Sequence, residues 1–447
     1  MADGPLELLL ALPATAAVVA ALAILVVEAV GRRSVPWLVD GMALAGLAAS
    51  AWLQLAALGV GPGVASVTRG AGRVLIVQDA LAVFAALLVL FAAAFTILVG
   101  GGYAARAGLR RAEYAVILLL ASAGMLLLGS AADLIVVFLG VEAFSIGLYV
   151  LCAFRTGERA GYEAALKYFV LGAAAAAFLL YGTALCYAAA GTTELAGIGA
   201  ALAAAGDGAG RATALAGLAL VLVGLGFKLA IVPFHHWAPD VYQGAPTPVT
   251  GFMAAATKTA ALVALIRVLW TAFGGFAPAW QPALAALAIV TMVVGNLAAL
   301  VQADLKRMLA FSAVAHAGYL LVAVVVAESG GIAAALYYLL AYGLAKLGAF
   351  GVLSVVGRVA GDAPDPPGAG DDRPALADLA GLGTTQPWLA AALTVCLVSL
   401  VGLPPAIGFL GKWLIFQAAV DGGWTWLAAV LVLNSAVSAF YYLRPLG

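Results

Sequence analysis

Long runs of apolar residues, each about the length a helix needs to cross a bilayer, alternate along this chain with short polar or Gly/Pro-rich breaks. The runs fall near residues 7–30, 36–60, 79–101, 113–130, 132–153, 162–190, 212–238, 248–273, 283–302, 305–327, 330–358, 386–420 and 424–445. This pattern predicts an all-α polytopic membrane protein of about thirteen transmembrane helices. Connections are short except for 361–377, where Pro364, Pro366, Pro367 and several aspartates read as a solvated surface loop. Two runs are interrupted. The seventh carries Pro233 and then His235-His236-Trp237-Ala238-Pro239-Asp240, and the twelfth carries Gly402-Leu403-Pro404-Pro405 followed by Gly408 and Gly411. A proline inside a helix removes a donor and frees carbonyls. In a bilayer such a break persists only where protein or water satisfies them.

Spans four to eight and nine to thirteen each form a set of five, with the broken helix fourth in each. Five is odd, so the second set enters from the opposite side, as in the inverted repeats of transporters. The expected divisions are a three-helix segment over 1–111, a first repeat over 112–273 and an inverted second repeat over 283–447.

Composition agrees with a lipid environment: 65% of residues are apolar and 9% charged, against about 25% charged in soluble domains. Lys plus Arg and Asp plus Glu are equal at 21 each, so net charge points to no nucleic-acid or acidic partner. The position of the charges is more informative. With the N-terminus outside, twelve basic residues fall in inside loops (Arg32, Arg33, Arg106, Arg110, Arg111, Arg155, Arg159, Lys306, Arg307, Arg358, Arg373 and Arg444) and three outside (Arg69, Arg73 and Arg211). The first span is preceded by Asp3 and Glu7 and followed by Arg32 and Arg33, the inverse of a cleaved signal peptide, so it reads as a retained span. Cys152, Cys186 and Cys396 lie in apolar stretches without metal or disulfide spacing and read as small core residues.

Six ionisable residues fall in the middle third of spans: Glu142, Lys228, Lys258, His316, Lys346 and Lys412. Each costs roughly 2.5–3.5 kcal/mol at mid-membrane on insertion scales, which marks them as functional candidates. Spread over six helices, they suit a lateral proton relay better than one solute pocket. Burial disfavours a charged amine and a nearby carboxylate favours it, so Glu142 and Lys228 are expected to form a switchable pair, with Lys258 as the next acceptor. His235 follows Lys228 across Pro233 and is not assigned to the same face. Lys167 and Arg267 lie near span ends, where snorkelling to the interface is the alternative reading. The chain has no Walker loop, Rossmann glycine motif or CxxCH, so no cofactor or metal is expected in it.

The run from Phe227 to Val249, FKLAIVPFHHWAPDVYQGAPTPV, closely resembles the signature of the antiporter-like subunits of respiratory complex I. Phe138 to Glu142, Glu163 to Phe169, Asp304 to Ala310, Ala315 to Tyr319 and Asn434 to Ala439 extend the likeness from about residue 79 onward. The wording from Val241 to Pro246 is similar to the subunit N branch of bacterial NADH-quinone oxidoreductases. The resemblance implies a proton-translocating subunit in the bacterial plasma membrane, partnered by other membrane subunits of the complex. NADH, FMN, iron-sulfur clusters and quinone would then lie elsewhere in the assembly. It implies roles for Glu142 as the fifth-helix glutamate, Lys228 as its partner, Lys258 as the central lysine and Lys412 as the terminal lysine, with weaker roles for His235, Lys167, Glu163 and Lys306. Lys346 departs from the expected pattern, which is neutral there, and a further helix is expected beyond residue 447. The rival readings are a subunit of a multi-subunit cation/proton antiporter and a non-pumping membrane scaffold.

Overall fold

A computed structural model of the chain describes residues 4–31, 35–58, 65–69, 72–155, 157–205, 208–356 and 376–446. Most of the expected loop at 361–377 and the basic residues Arg32, Arg33, Arg358 and Arg373 lie outside the described residues. The helices are α1 (Gly4–Val30), α2 (Pro36–Leu58), α3 (Ala80–Arg106), α4 (Arg111–Gly129), α5 (Leu134–Cys152), α6 (Arg159–Ala190), α7 (Leu195–Ala205), α8 (Ala209–Leu229) and α9 (Trp237–Gly244). They continue as α10 (Thr247–Phe252), α11 (Lys258–Arg267), α12 (Ala277–Leu300), α13 (Leu305–Val325), α14 (Gly331–Val356), α15 (Leu382–Thr385), α16 (Pro387–Val401), α17 (Ile407–Asp421) and α18 (Thr425–Leu443). Five-residue π-helical stretches, Met253–Thr257 and Val268–Ala272, follow α10 and α11, so that 247–272 runs as one rod.

Among the described residues, twelve helices are long and apolar enough to cross a membrane, against the thirteen expected. The difference is the twelfth run, which is split into α16 and α17, each of 15 residues and too short to span alone. The seventh run is also shorter than its apolar pattern: α8 ends at Leu229 and not near residue 238. Two elements have no counterpart in the hydropathy reading. One is the antiparallel hairpin β1 (Ala65–Arg69) and β2 (Arg73–Gln78), so the fold is not purely helical; the other is the short helix α7.

Helix ends are set by local chemistry. Asp79, Asp133 and Asp304 cap α3, α5 and α13 by accepting from the backbone N–H groups of Ala82, Ile135 and Arg307. Small residues allow close helix approach, the main source of packing attraction in lipid. A Cβ on Gly182 of α6 would stand 2.6 Å from the carbonyl oxygen of Gly217 of α8, so these helices meet backbone to backbone. The most enclosed spans are 247–269, where every residue is buried, and α13, where nearly all are, whereas α1 is largely exposed over Pro13–Val30. The chain is therefore built around α11 and α13, with α1, α2 and α6 on the rim.

Charges near the membrane edges tie the helices together. Arg111 of α4 binds both oxygens of Asp40 of α2. Arg267, at the end of α11, grips the Asp79 carboxylate with two N–H groups and donates a third hydrogen bond to Gly129 O at 3.1 Å. Its side chain is 9% exposed, so Arg267 does not snorkel to the interface. The guanidinium satisfies a helix cap and a helix end at once. Removing one member of a buried pair strands the other, at a cost of about 3 kcal/mol. Arg267→Met is expected to destabilise the fold by that amount, and an unchanged thermal midpoint of the detergent-purified protein would contradict it.

Candidate functional site

The apolar run that ends α8 continues past Lys228, but the helix stops there because Ala230 turns into the left-handed region, at φ 58°. A residue with a Cβ in that conformation costs about 1–2 kcal/mol. Two backbone bonds close the end, from Ala230 N–H to Phe227 O and from Ile231 N–H to Gly226 O. The turn at 231–236 then leads into α9. Phe227 O also accepts from Trp237 Nε1 at 2.9 Å, and Leu229 O accepts from the Lys258 ammonium. The second break is closed similarly. Gly402 caps α16 at φ 81°, and Val401 O accepts from Lys412 Nζ at 2.7 Å and from Ser435 Oγ at 3.3 Å.

Lys228 is 2% exposed and sits among four rings. Its Nζ lies 5.1 Å from the centroid of Phe227, 5.3 Å from Tyr168 and 5.5 Å from both Phe144 and Tyr149. Its hydrogen-bond contact is the Tyr149 hydroxyl, at 3.4 Å. The expected Glu142–Lys228 ion pair is not closed: Glu142 Oε1 is buried without a hydrogen-bond partner. Lys258 is 1% exposed and reaches the carbonyl of the residue after Lys228, which brings these two lysines onto one helix end.

Lys346 is fully buried and donates to Leu309 O at 2.7 Å and Ser312 Oγ at 2.8 Å. It therefore stands in line with the other lysines, although the family pattern expects a neutral residue there. His316 does not bind a backbone carbonyl: its Nε2 contacts the Tyr442 hydroxyl at 2.9 Å and its Nδ1 contacts that of Tyr338. Lys412 is 5% exposed, lies 4.9 Å from the Tyr319 ring centroid and donates to Ser435 Oγ at 2.8 Å. Five of the six mid-span candidates thus line one enclosed row crossing α8, α11, α14, α13 and α17, with Glu142 of α5 beside its first lysine. No carboxylate makes an ion pair with these lysines among the described residues.

The weaker candidates lie elsewhere. His235 is buried in the turn after α8, its ring 4.4 Å from that of His236, and its Nδ1 has no partner. Lys167 does not snorkel freely but bridges Glu163 at 2.6 Å and Asp240 at 2.7 Å. Asp240 also takes Arg307 at 2.6 Å, and Lys306 donates to Ala245 O at 2.7 Å. This edge cluster joins α6, α9 and α13. Partial burial pushes the Asp240 carboxyl up, but the hydrogen bonds from Lys167 and Arg307 prevail and hold it below its usual range.

Sequence reasoning missed Tyr149, Ser312, Tyr338, Tyr442 and Ser435. One signal was present: Tyr338, Tyr342 and Lys346 recur every four residues, as do Ser312 and His316, which places each set on one helix face. Tyr442 follows Asn434 and Ser438 at the same four-residue spacing on α18. Among the described residues, no group of three or more His, Cys, Asp or Glu side chains is placed to hold a metal.

Comparison with known proteins follows the same outline. The family model described as NADH:quinone oxidoreductase/Mrp antiporter, transmembrane, matches residues 131–438. The NADH-quinone oxidoreductase subunit N of Trichlorobacter lovleyi is 43% identical over 399 residues, covering 88% of this chain and 80% of the relative. Among solved structures, respiratory complex I from Thermus thermophilus with bound aureothin contains a chain that aligns with a TM-score of 0.79 at 39% identity, over 97% of this chain and 88% of that one. A chain of the Mrp complex from Dietzia sp. aligns with a TM-score of 0.81 at 27% identity, over 99% and 79%.

Two expected outcomes follow from the geometry. A Cβ on Gly402 would stand 2.9 Å from Lys412 Cδ and strain the left-handed backbone. Gly402→Ala should therefore cost about 1–2 kcal/mol in thermal unfolding. For Asp240, a folded value below the unfolded one means that its contribution is complete above about pH 4 and is lost as the pH falls through the folded value. Asp240→Asn should destabilise at neutral pH, with the gap to wild type closing in acid; a gap independent of pH would refute the assignment.

Proposed function

The chain belongs to the NADH:quinone oxidoreductase/Mrp antiporter transmembrane family, and on that premise we propose that it translocates protons as the subunit N type of component of a bacterial respiratory complex I. Its setting is then the plasma membrane, among the other membrane subunits of that complex. Electron transfer from NADH to quinone takes place in partner subunits, and this chain contributes the proton path. We place the N-terminus outside, on the charge asymmetry of the loops. The two broken helices, each fourth in a set of five, support two inverted repeats over 112–273 and 283–447.

The observation that carries this reading is the way the buried lysines are held. Lys228, Lys258, Lys346 and Lys412 rest on rings, hydroxyls and backbone carbonyls, all neutral partners. A carboxylate at contact distance would lock the proton in place. Neutral partners support the ammonium without making its proton irreplaceable, so both states are accessible. Glu142 stands close enough to act on Lys228 electrostatically while leaving it unpaired. Movement of Glu142, or its neutralisation, shifts the charge on Lys228, and each protonated lysine repels a proton from its neighbour. Protons thereby pass from the inside through Glu142, Lys228 and Lys258 toward His316 and Lys412 and leave on the outer side. Lys346 belongs to this row. Lys167, paired twice at the edge, holds helices in place, and His235 lies beside the path.

The rival scaffold reading expects buried charges to be paired, as Arg267 is with Asp79, and the row lacks that pairing. An antiporter of the Mrp kind is disfavoured by the lower identity to that complex. Replacing Lys228 by Met should lower proton pumping in vesicles by tenfold or more, on the scale of roughly 10²-fold or more for a lost acid–base group, with the complex still assembled. Full pumping in that variant would overturn the proposal.

A further inference from the structure

We propose that Ser312 and Tyr442 form a side-chain hydroxyl wire that carries the proton between Lys346 and His316. The inference rests on the proton-translocating reading above and names two residues that it does not. Lys346 Nζ donates to Ser312 Oγ at 2.8 Å, the Ser312 and Tyr442 hydroxyls are bonded to each other, and the Tyr442 hydroxyl contacts His316 Nε2 at 2.9 Å. On the far side, His316 Nδ1 contacts the Tyr338 hydroxyl. The five residues come from α13, α14 and α18, and all are at most 1% exposed. Each link is direct, so the path from amine to imidazole is made entirely of this chain's own atoms.

Chemistry separates the two acceptors of Lys346. Leu309 O can take a hydrogen bond but has no proton to hand on. Ser312 has both lone pairs and a proton, as does Tyr442. In the forward step, an Nζ–H bond of Lys346 breaks as a new O–H forms on Ser312. The original serine proton moves to Tyr442, and the original tyrosine proton bonds to His316 Nε2. The products are a neutral Lys346 amine and an imidazolium, with both hydroxyls unchanged in composition. Every hydrogen bond survives with its direction reversed: Nε2–H now donates to Tyr442, Tyr442 to Ser312, and Ser312 to the amine. Along the three links from amine to imidazole, each donor keeps an acceptor in both states, which limits the cost of either state away from water. On its other side the imidazole is held through Nδ1 by the Tyr338 hydroxyl, and the Tyr338 ring packs against Gly411 beside Lys412.

The geometry also explains why the bridge needs a tyrosine. Ser312 and His316 are one turn apart on α13, and the α18 hydroxyl joins them from the opposing helix. Phenylalanine would fill the same space and break the link.

The test compares Tyr442→Phe, Ser312→Ala, Ser312→Thr and the double variant Tyr442→Phe/Ser312→Ala in the assembled complex, with Lys228→Met as reference. Proton pumping per NADH oxidised and its sensitivity to D2O are read in vesicles. Tyr442→Phe and Ser312→Ala are each expected to lower pumping roughly tenfold or more, on the scale of a lost acid–base group. Ser312→Thr, which keeps the hydroxyl, should retain both pumping and isotope sensitivity. The double variant should be no worse than either single one, because the two groups act in series. Normal pumping by assembled Ser312→Ala or Tyr442→Phe, with Lys228→Met impaired, overturns the wire and leaves the broader function standing. A double variant whose losses multiply also overturns it. If Tyr442→Phe fails to assemble, the contrast between Ser312→Ala and Ser312→Thr decides: equal pumping by the two overturns the wire. Normal pumping by Lys228→Met removes the broader reading instead.

Discussion

A carbonyl freed inside a membrane protein has no bulk water to turn to, and the rest of this structure depends on how that need is met. The helix breaks after Leu229 and Val401 expose such carbonyls at the heart of the bundle. Lysine ammonium groups close both: Lys258 on Leu229 O and Lys412 on Val401 O. Lys306 does the same for Ala245 O at the end of α9, whereas Lys346 adds a hydrogen bond to Leu309 O inside the unbroken α13. At the two breaks, the amines that satisfy the backbone, Lys258 and Lys412, are thus also members of the row proposed to carry protons. A change in protonation at Lys258 or Lys412 is felt at a helix end, which couples charge to backbone geometry without a separate device.

Charge in this chain is divided by partner. Arg267 with Asp79, Arg111 with Asp40, and Lys167 with Asp240 pair opposite signs across helices near the edges. Such pairs return little energy beyond their desolvation cost, but breaking one is expensive, so they fix the relative positions of helices. The lysines of the row have neutral partners, and their place in the interior is offset by packing of the enclosed stretch 247–269 and of α13. Aromatic rings contribute on both sides of the row. Four surround Lys228, and Tyr319 faces Lys412, offering quadrupole attraction to an ammonium without a fixed counter-charge.

Much of this was legible beforehand, for identifiable reasons. Span limits emerge because a bilayer demands a near-constant length of apolar helix, and both breaks emerge because Pro233, Pro404 and Pro405 interrupt that length. The lysines stand out because a charge in an apolar run is costly. The hairpin at 65–78 and the helix α7 were invisible to a search for long apolar runs. The stop at Leu229 was equally hidden: the residue that turns left-handed is an alanine, and its own type gives no hint. For Arg267 and Lys167 snorkelling stayed open as an alternative because their partners, Asp79 and Asp240, are distant in sequence.

By itself, the amino-acid sequence determined that the chain is a many-span helical membrane protein with two interrupted helices and a small set of buried ionisable groups. These follow from local rules, the cost of polar atoms in hydrocarbon and the limits on proline, and need no knowledge of neighbours. Only the tertiary structure decided that Lys346 stands in the row, that Glu142 leaves Lys228 unpaired, and that Ser312 and Tyr442 link Lys346 to His316. A hydroxyl in an apolar helix costs too little to announce itself, since it can bond its own helix backbone. Whether it transfers a proton depends on what another helix places within 3 Å, and that is a property of packing.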